Sequence, residues 1–178
     1  GNHEGNADGQ FSFLYGIAVD DSGCVYAVDM GNQRIQKFDG NGKFITKWGG
    51  YGQGNGQFDR PMGVAVGPGG DVYVTDTYNG RIQRFTSDGR FISKWGGGGG
   101  DVQFGEPRGI AVDRAGYVYV ADSQNHRVQK FTADGQFVTK WGEQGWTEGT
   151  FYYPFGIAID ATGHILVTDS SNMIQKFT

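Results

Sequence analysis

The stretch DTYNGRIQRF, residues 76–85, decides the fold because the chain writes it four times. Residues 29–38 read DMGNQRIQKF, residues 122–131 read DSQNHRVQKF and residues 169–177 read DSSNMIQKF. An apolar run recurs with it: GIAVD at 16–20, GVAVG at 63–67, GIAVD at 109–113 and GIAID at 156–160. Its first glycines therefore stand 47, 46 and 47 residues apart. Trp48, Trp95 and Trp141 keep the same spacing and have no fourth counterpart. Self-similarity at a fixed period of this size marks a repeat array, and it fixes how the intervening residues are read.

Each unit holds four strand-like pieces. The first is the GIAVD run. A turn such as DDSG or GPGG follows, then a second piece such as CVYAVD or DVYVTD. A short loop leads to the third, RIQKF or its variants, and a turn such as TSDG leads to the fourth, RFISKWG. The pieces are short, rich in β-branched and aromatic residues, and bounded by Gly, Asp and Asn, which favours strands over helices. The first two pieces are almost continuously apolar, as expected where both faces of a sheet are covered. Four antiparallel strands per period of 46 or 47 residues describe one blade of a β-propeller. The fold class expected is therefore all-β, with blade units at about 11–57, 58–103, 104–150 and 151–178.

The pattern GIAVDxxGxVYVxDxxNxRIQxF followed by DGxFxxKWG resembles the NHL repeat. The resemblance covers essentially the whole chain. It implies a propeller, commonly six-bladed, in proteins that mostly bind other molecules, and it implies no reaction.

Composition agrees. Gly occurs 33 times and aromatic residues make up 15% of the 178, which suits short strands joined by tight turns. The run Gly96 to Gly100 reads as a flexible loop. A net charge of −4 disfavours bulk nucleic-acid binding. The single cysteine, Cys24, excludes an internal disulfide and offers no metal cluster. No apolar run reaches transmembrane length. The chain begins with Gly1, as a processed or excised piece would.

The fourth unit stops at Thr178, before any fourth strand, and residues 1–10 align with the inter-blade loop at 49–57, not with a strand. Neither end supplies the missing outer strand. The expectation is an open or partial ring, either part of a longer propeller or an assembly with copies of itself, a closed four-bladed monomer being the remaining option. Open blade edges invite pairing with another chain.

Strand parity puts the first-to-second and third-to-fourth turns on one rim and the longer, more variable loops on the other. Binding residues concentrate on loops held by a rigid scaffold, so the variable rim is the expected ligand face. Its candidates are Tyr15, Met62, Arg108 and Phe155, each just before the first strand's glycine, with Tyr78 and His126 from the shorter loops. The bland alternative is that they plug the mouth of the channel. Glu4, Asp8, Asp59, Asp101, Glu106, Glu143 and Glu148 outnumber Arg60 and Arg108 in the variable loops, a poor footprint for phosphate. No nucleic acid is expected as a partner, although some animal NHL propellers bind RNA on such a rim.

Enzyme chemistry finds little support. A related propeller family, the amidating lyases, uses zinc held by several histidines. Here His3, His126 and His164 fall on a terminus and on opposite rims. No G-x-S-x-G elbow occurs, no calcium loop of EF-hand type is present, and no catalytic residue, metal site or cofactor is expected. The function read from the sequence is a non-catalytic binding or scaffold module for a protein or other ligand. The alternatives are a self-assembling subunit and, more remotely, a lyase-like metalloenzyme. Relatives of this pattern in bacteria and archaea are often exported, which favours an extracytoplasmic location.

The repeated motif itself reads as a joint, since a ligand site is rarely needed once per blade. Asp29, Asp76 and Asp122 end second strands, and Arg34, Arg81 and Arg127 begin third strands beside them. Each pair is expected to hydrogen-bond across its hairpin and, if exposed, to add only about 0–1 kcal/mol. Asn79 is expected to satisfy loop backbone groups. Ile82, Phe85, Trp48, Trp95 and Trp141 are expected to pack between blades.

Overall fold

The computed structural model describes residues 5–97 and 102–178. Four antiparallel sheets stand in a ring that is not closed, which removes the closed four-bladed option. Blade 1 is β1 (Leu14–Val19), β2 (Val25–Asp29), β3 (Arg34–Phe38) and β4 (Phe44–Gly49). Blade 2 is β5 (Pro61–Val66), β6 (Val72–Asp76), β7 (Arg81–Phe85) and β8 (Phe91–Gly96). Blade 3 is β9 (Pro107–Val112), β10 (Val118–Asp122), β11 (Arg127–Phe131) and β12 (Phe137–Trp141), with a short 3-10 turn at Ser123–Asn125. Blade 4 has three strands, β13 (Gly156–Ile159), β14 (Ile165–Thr168) and β15 (Ile174–Phe177). Among the described residues no helix is long and apolar enough to cross a membrane.

In every sheet the strands follow chain order, so each β-turn joins hydrogen-bonded neighbours. The first strand of each blade lies innermost: β1 packs on β5, β5 on β9 and β9 on β13. In the three complete blades it begins earlier than the glycine of the apolar run and slips register there, between Leu14 and Ile17 and between Pro61 and Val64. The slip re-aims the start of the strand toward the rim. Of the Gly run, Gly96 ends β8, while residues 98–100 lie outside the described residues, as do His3, Glu4 and Asp101.

The core lies between blades. Tyr26, Val28 and Ile35 of blade 1 face Phe58, Val64, Val72, Val74 and Phe85 of blade 2. The same cluster recurs between blades 2 and 3 and between blades 3 and 4. Each Trp reaches forward: Trp48 to Phe85 at 5.9 Å, Trp95 to Phe131 at 5.9 Å and Trp141 to Phe177 at 5.8 Å between ring centroids. Each Phe also meets an aromatic of its own inter-blade loop, Phe58, Phe104 or Phe151, at 5.5–5.7 Å. Gly89 sits on the Trp48 ring at φ +88°, so any side chain there would meet both the ring and the left-handed backbone.

The ends of the array show what the interior faces conceal. Val64 and Ile110 are 5% and 7% exposed, but the equivalent Ile17 of blade 1 is 65% exposed. Ile35, Ile82 and Val128 are fully buried, but the equivalent Ile174 of blade 4 is 73% exposed. The continuous apolar pattern of the first two strands thus reflects two-sided cover inside the array and loses one side at each end.

Candidate binding rim

The repeated polar residues are consumed in the joints. Asp76, fully buried, faces Arg81 in the last cross-strand pair before the loop. Its carboxylate accepts from Arg81 Nε at 2.6 Å, Asn79 Nδ2 at 3.0 Å, Gln83 Nε2 at 3.0 Å and the backbone N–H of Asp59 at 2.8 Å. Arg81 also donates to the carbonyls of Gln53, Gly54 and Gln57, in the loop that enters the blade. Asn79 reaches the Gly52 carbonyl. Burial raises the Asp76 carboxyl, opposed by the Asp59 amide, Asn79 and Arg81. The pair is thus buried, not an exposed ion pair, and its role is to pin the inter-blade loop to the hairpin.

Blade 1 repeats this with Asp29, Arg34 and residues 5–12, where Arg34 donates to Asn6, Ala7 and Gln10 carbonyls. Blade 3 repeats it with Asp122 and Arg127. In blade 4, which lacks the arginine, Asp169 accepts from the backbone of Tyr152 and from Ser171. The sequence reading passes over Gln36, Gln83, Gln129 and Gln175. Each is buried and bonds the entering loop. The signal was present: the Gln of RIQKF is polar, lies mid-strand and survives in the repeat that drops its Arg.

With the joints spoken for, the remaining side chains on that rim are the non-repeated ones. Of the residues singled out by sequence, Tyr15, Met62, Arg108 and Phe155 sit at the starts of the inner strands. Tyr15 and Phe155 are 54% and 42% exposed, and Arg108 is tied to Glu106 at 3.1 Å. The carbonyls of Met62, Arg108 and Phe155 lie against Gly16, Gly63 and Gly109 of the preceding blade, where a Cβ would collide. That is why these runs begin with glycine.

Just outside them, Phe13, Arg60, Glu106 and Tyr153 occupy one equivalent position with φ between 50° and 59°, the left-handed region in which non-Gly residues are strained. Two are held by the blade before: Arg60 N–H donates to Gln33 Oε1 at 2.6 Å, and Tyr153 N–H to His126 Nδ1 at 3.2 Å. The Arg60 guanidinium lies 4.6 Å from the Tyr78 ring centroid and donates to its hydroxyl. His126 lies among Tyr152 and Tyr153, with Trp146 beyond. Tyr78 and His126, expected from the sequence on this rim, thus stand in corners whose other members, Arg60, Trp146, Tyr152 and Tyr153, no repeat singles out.

The opposite rim carries a cavity of about 360 Å³ at the ends of β1, β5 and β9, lined by Asp20, Asp21, Pro68, Asp113 and Arg114 among others. Two of its carboxylates, Asp20 and Asp113, are engaged by their own turns. Asp20 accepts from the amides of Ser22 and Cys24 and from Tyr26 Oη; burial raises this carboxyl, but those hydrogen bonds outweigh it and leave it lowered. Burial and Asp20 push the Tyr26 phenol up. Asp113 likewise accepts hydrogen bonds from the amides of Ala115 and Tyr117 and from Tyr119 Oη. His164 belongs to the fourth such turn, against Asp160, and so lies on the rim away from His126. Among the described residues no three His, Cys, Asp or Glu side chains converge.

Asp160 gives a pH prediction. Lys176, at 2.8 Å, together with Thr162 and the turn amides, holds its carboxyl well below the ordinary 3.8. A carboxyl lowered on folding contributes stability above its unfolded value and loses it as pH falls through the folded one. The acid-range step of the Asp160 carboxyl carbon in an NMR titration is expected well below pH 3.8 and closer to it in Lys176→Met; an acid-range midpoint at or above 3.8 in the wild type contradicts this.

The family model for the NHL repeat matches residues 58–85, 104–131 and 151–173. No curated protein sequence matches the chain. Among solved structures, a nidogen/laminin complex superposes with a TM-score of 0.70 at 21% identity, over 92% of this chain and 60% of that one. Virginiamycin B lyase from Staphylococcus aureus superposes at 0.67 and 21% identity, over 93% and 55%. A gluconolactonase from Xanthomonas campestris superposes at 0.67 and 17% identity, over 93% and 57%. The chain thus spans little more than half the length of these structures, and at these identities the likeness establishes the fold alone.

Proposed function

The chain is an NHL-repeat β-propeller, and from that premise we propose that it is a non-catalytic binding module whose variable rim receives a protein partner. One observation carries the reading. The repeated polar side chains are spent on joints, while exposed, non-repeated aromatics (Tyr15, Tyr78, Trp146, Tyr153 and Phe155) collect on the single rim formed by the longer loops. Exposed aromatics grouped on loops of a rigid scaffold suit a binding surface. The nidogen/laminin neighbour is a propeller found in a protein complex, which accords with a protein partner. The lyase and lactonase neighbours show that the same architecture also serves enzymes.

The test is a peptide and glycan array probed with the wild type, with Tyr78→Ala/Phe155→Ala, and with Arg90→Ser/Arg114→Ser on the opposite rim. Signals should vanish in the first variant and persist in the second. The reverse pattern would move the site to the axial cavity.

A second reading has its own observation. The open faces around Ile17 and Ile174 correspond to the two sides of the interface between successive blades, the blade 4 side lacking the fourth strand and its Trp. A second copy carries both halves, so we propose head-to-tail self-association through these faces. Covering one such isoleucine contributes about 1.5–3 kcal/mol. Sedimentation at rising concentration should show dimers or larger species that Ile174→Glu abolishes; a strict monomer at high concentration sinks the idea.

A further inference from the structure

The corner between blades 3 and 4 names the chemistry of a partner, on the premise that the rim is the binding face. Tyr152 lies between two rings, Trp146 at 5.1 Å and 32° and His126 at 5.7 Å and 24°. Tyr153 closes against His126 at 4.6 Å and against Tyr152 at 4.8 Å. The cluster is held from behind. Tyr152 N–H donates to Asp169, Tyr153 N–H to His126 Nδ1, and Thr147 and Thr150 bond each other across the turn beside Trp146. Trp146 is 65% exposed and Tyr153 36%, whereas Trp48, Trp95 and Trp141 are packed between blades. The result is a preorganised set of π-faces open to solvent.

Two further facts select the ligand. The loop that carries Trp146 also carries Glu143 and Glu148, both exposed and in none of the ion pairs among the described residues. Of the rim's arginines, Arg108 bonds Glu106 and Arg60 lies on Tyr78, while Lys94 and Lys140 line other corners, with Tyr78 and with Gln103. Arg60 is also instructive in itself. It occupies in blade 2 the left-handed position that Tyr153 occupies in blade 4, and there the chain lays its own guanidinium on an aromatic face. At the blade 4 corner the rings are present, the same loop carries the two carboxylates, and among the described residues no lysine or arginine lies over those rings. An aromatic face attracts a cation through its quadrupole, and nearby carboxylates strengthen that preference over a neutral ligand.

We propose that the Trp146–Tyr152–Tyr153–His126 corner binds an arginine or lysine side chain of a basic peptide segment on a protein partner. The probe is a fluorescein-labelled nine-residue peptide of alternating Arg and Gly, followed by anisotropy. A Glu-for-Arg peptide and unlabelled cellohexaose serve as comparators. Saturable binding is expected for the Arg peptide and not for the Glu peptide. It should weaken about tenfold in Trp146→Ala and in Tyr153→Ala, and several-fold in Glu143→Gln/Glu148→Gln, with thermal midpoints unchanged. Undiminished binding in Trp146→Ala overturns the proposal, as does competition by cellohexaose, which would make the corner a saccharide platform. If the Arg peptide fails while array signals still require Tyr78 and Phe155, this proposal falls and the rim reading stands. If those signals survive loss of Tyr78 and Phe155, the rim reading falls as well.

Discussion

Replacing Asp76 with alanine is expected to destabilise the protein by about 3–5 kcal/mol, the usual cost of removing one partner of a buried ion pair. The carboxylate is fully buried and receives hydrogen bonds from Arg81, Asn79, Gln83 and the Asp59 amide. Its loss strands a guanidinium that is 5% exposed and frees the loop that Arg81 holds. Asp169→Ala is the internal comparison. That carboxylate is also buried, but no arginine faces it, and its donors are the Tyr152 amide and Ser171. Its loss should cost about 1–3 kcal/mol, the range for unsatisfied neutral donors. Urea unfolding midpoints at constant slope provide the measurement. Equal costs at the two sites would show that the arginine adds nothing to the joint.

Gly63→Ala should be strongly damaging, as should the equivalent Gly16→Ala and Gly109→Ala. The new Cβ would run into the Arg108 carbonyl oxygen of the next blade, with Ile110 and Thr75 close by. Overpacking of a rigid interior costs about 1–3 kcal/mol, and an obstacle that is backbone cannot rotate aside. Gly156→Ala occupies the same place in blade 4, where the obstacle is only the Thr168 hydroxyl of its own blade. Turning that side chain loses one hydrogen bond, from the Gly156 amide. The reduced entropy of the unfolded chain offsets it by about 0.4–1 kcal/mol. Gly156→Ala should therefore be close to neutral. A large loss at Gly156 would mean that its face is covered after all.

What could be read from the sequence was whatever the period repeats. The third strand's span, Arg34–Phe38 and its copies, emerges as written, and Asp76 and Arg81 stand opposite each other because the loop between them is short. The depth of the joint was not legible, because burial of the pair depends on the entering loop, which folds over it from more than twenty residues away in sequence. Gln83 was missed for a related reason. A glutamine in a strand reads as a solvent-facing residue until its partner, the Gln57 carbonyl, is seen. The role of Gly63 lies in a neighbour one blade away, and spacing alone carries no distance.

The rim was the least legible part. Tyr78 and His126 were within reach because they lie in loops of nearly constant length. Trp146, Tyr152 and Tyr153 lie in an entering loop at positions where blade 2 carries Gln53, Asp59 and Arg60, so no repeat marks them. Their convergence on His126 depends on a left-handed residue at Tyr153 and on a hydrogen bond between blades. On the proposed reading, binding belongs where the repeat stops constraining the chain, so the same period that reveals the fold conceals the proposed site.

The proposed division is between a repeated motif that is architecture and a non-repeated rim that binds. Its most direct test pairs Arg81→Lys with Tyr78→Ala/Phe155→Ala and reads both the thermal midpoint and the array signals of each. Lysine keeps the charge but lacks the fork that spans Asp76 and three carbonyls. Arg81→Lys should lower the midpoint by several degrees and leave binding intact at temperatures where it is folded. The rim double variant should keep its midpoint and lose binding. Loss of binding in Arg81→Lys at an unchanged midpoint would contradict the account and make the repeated motif the site.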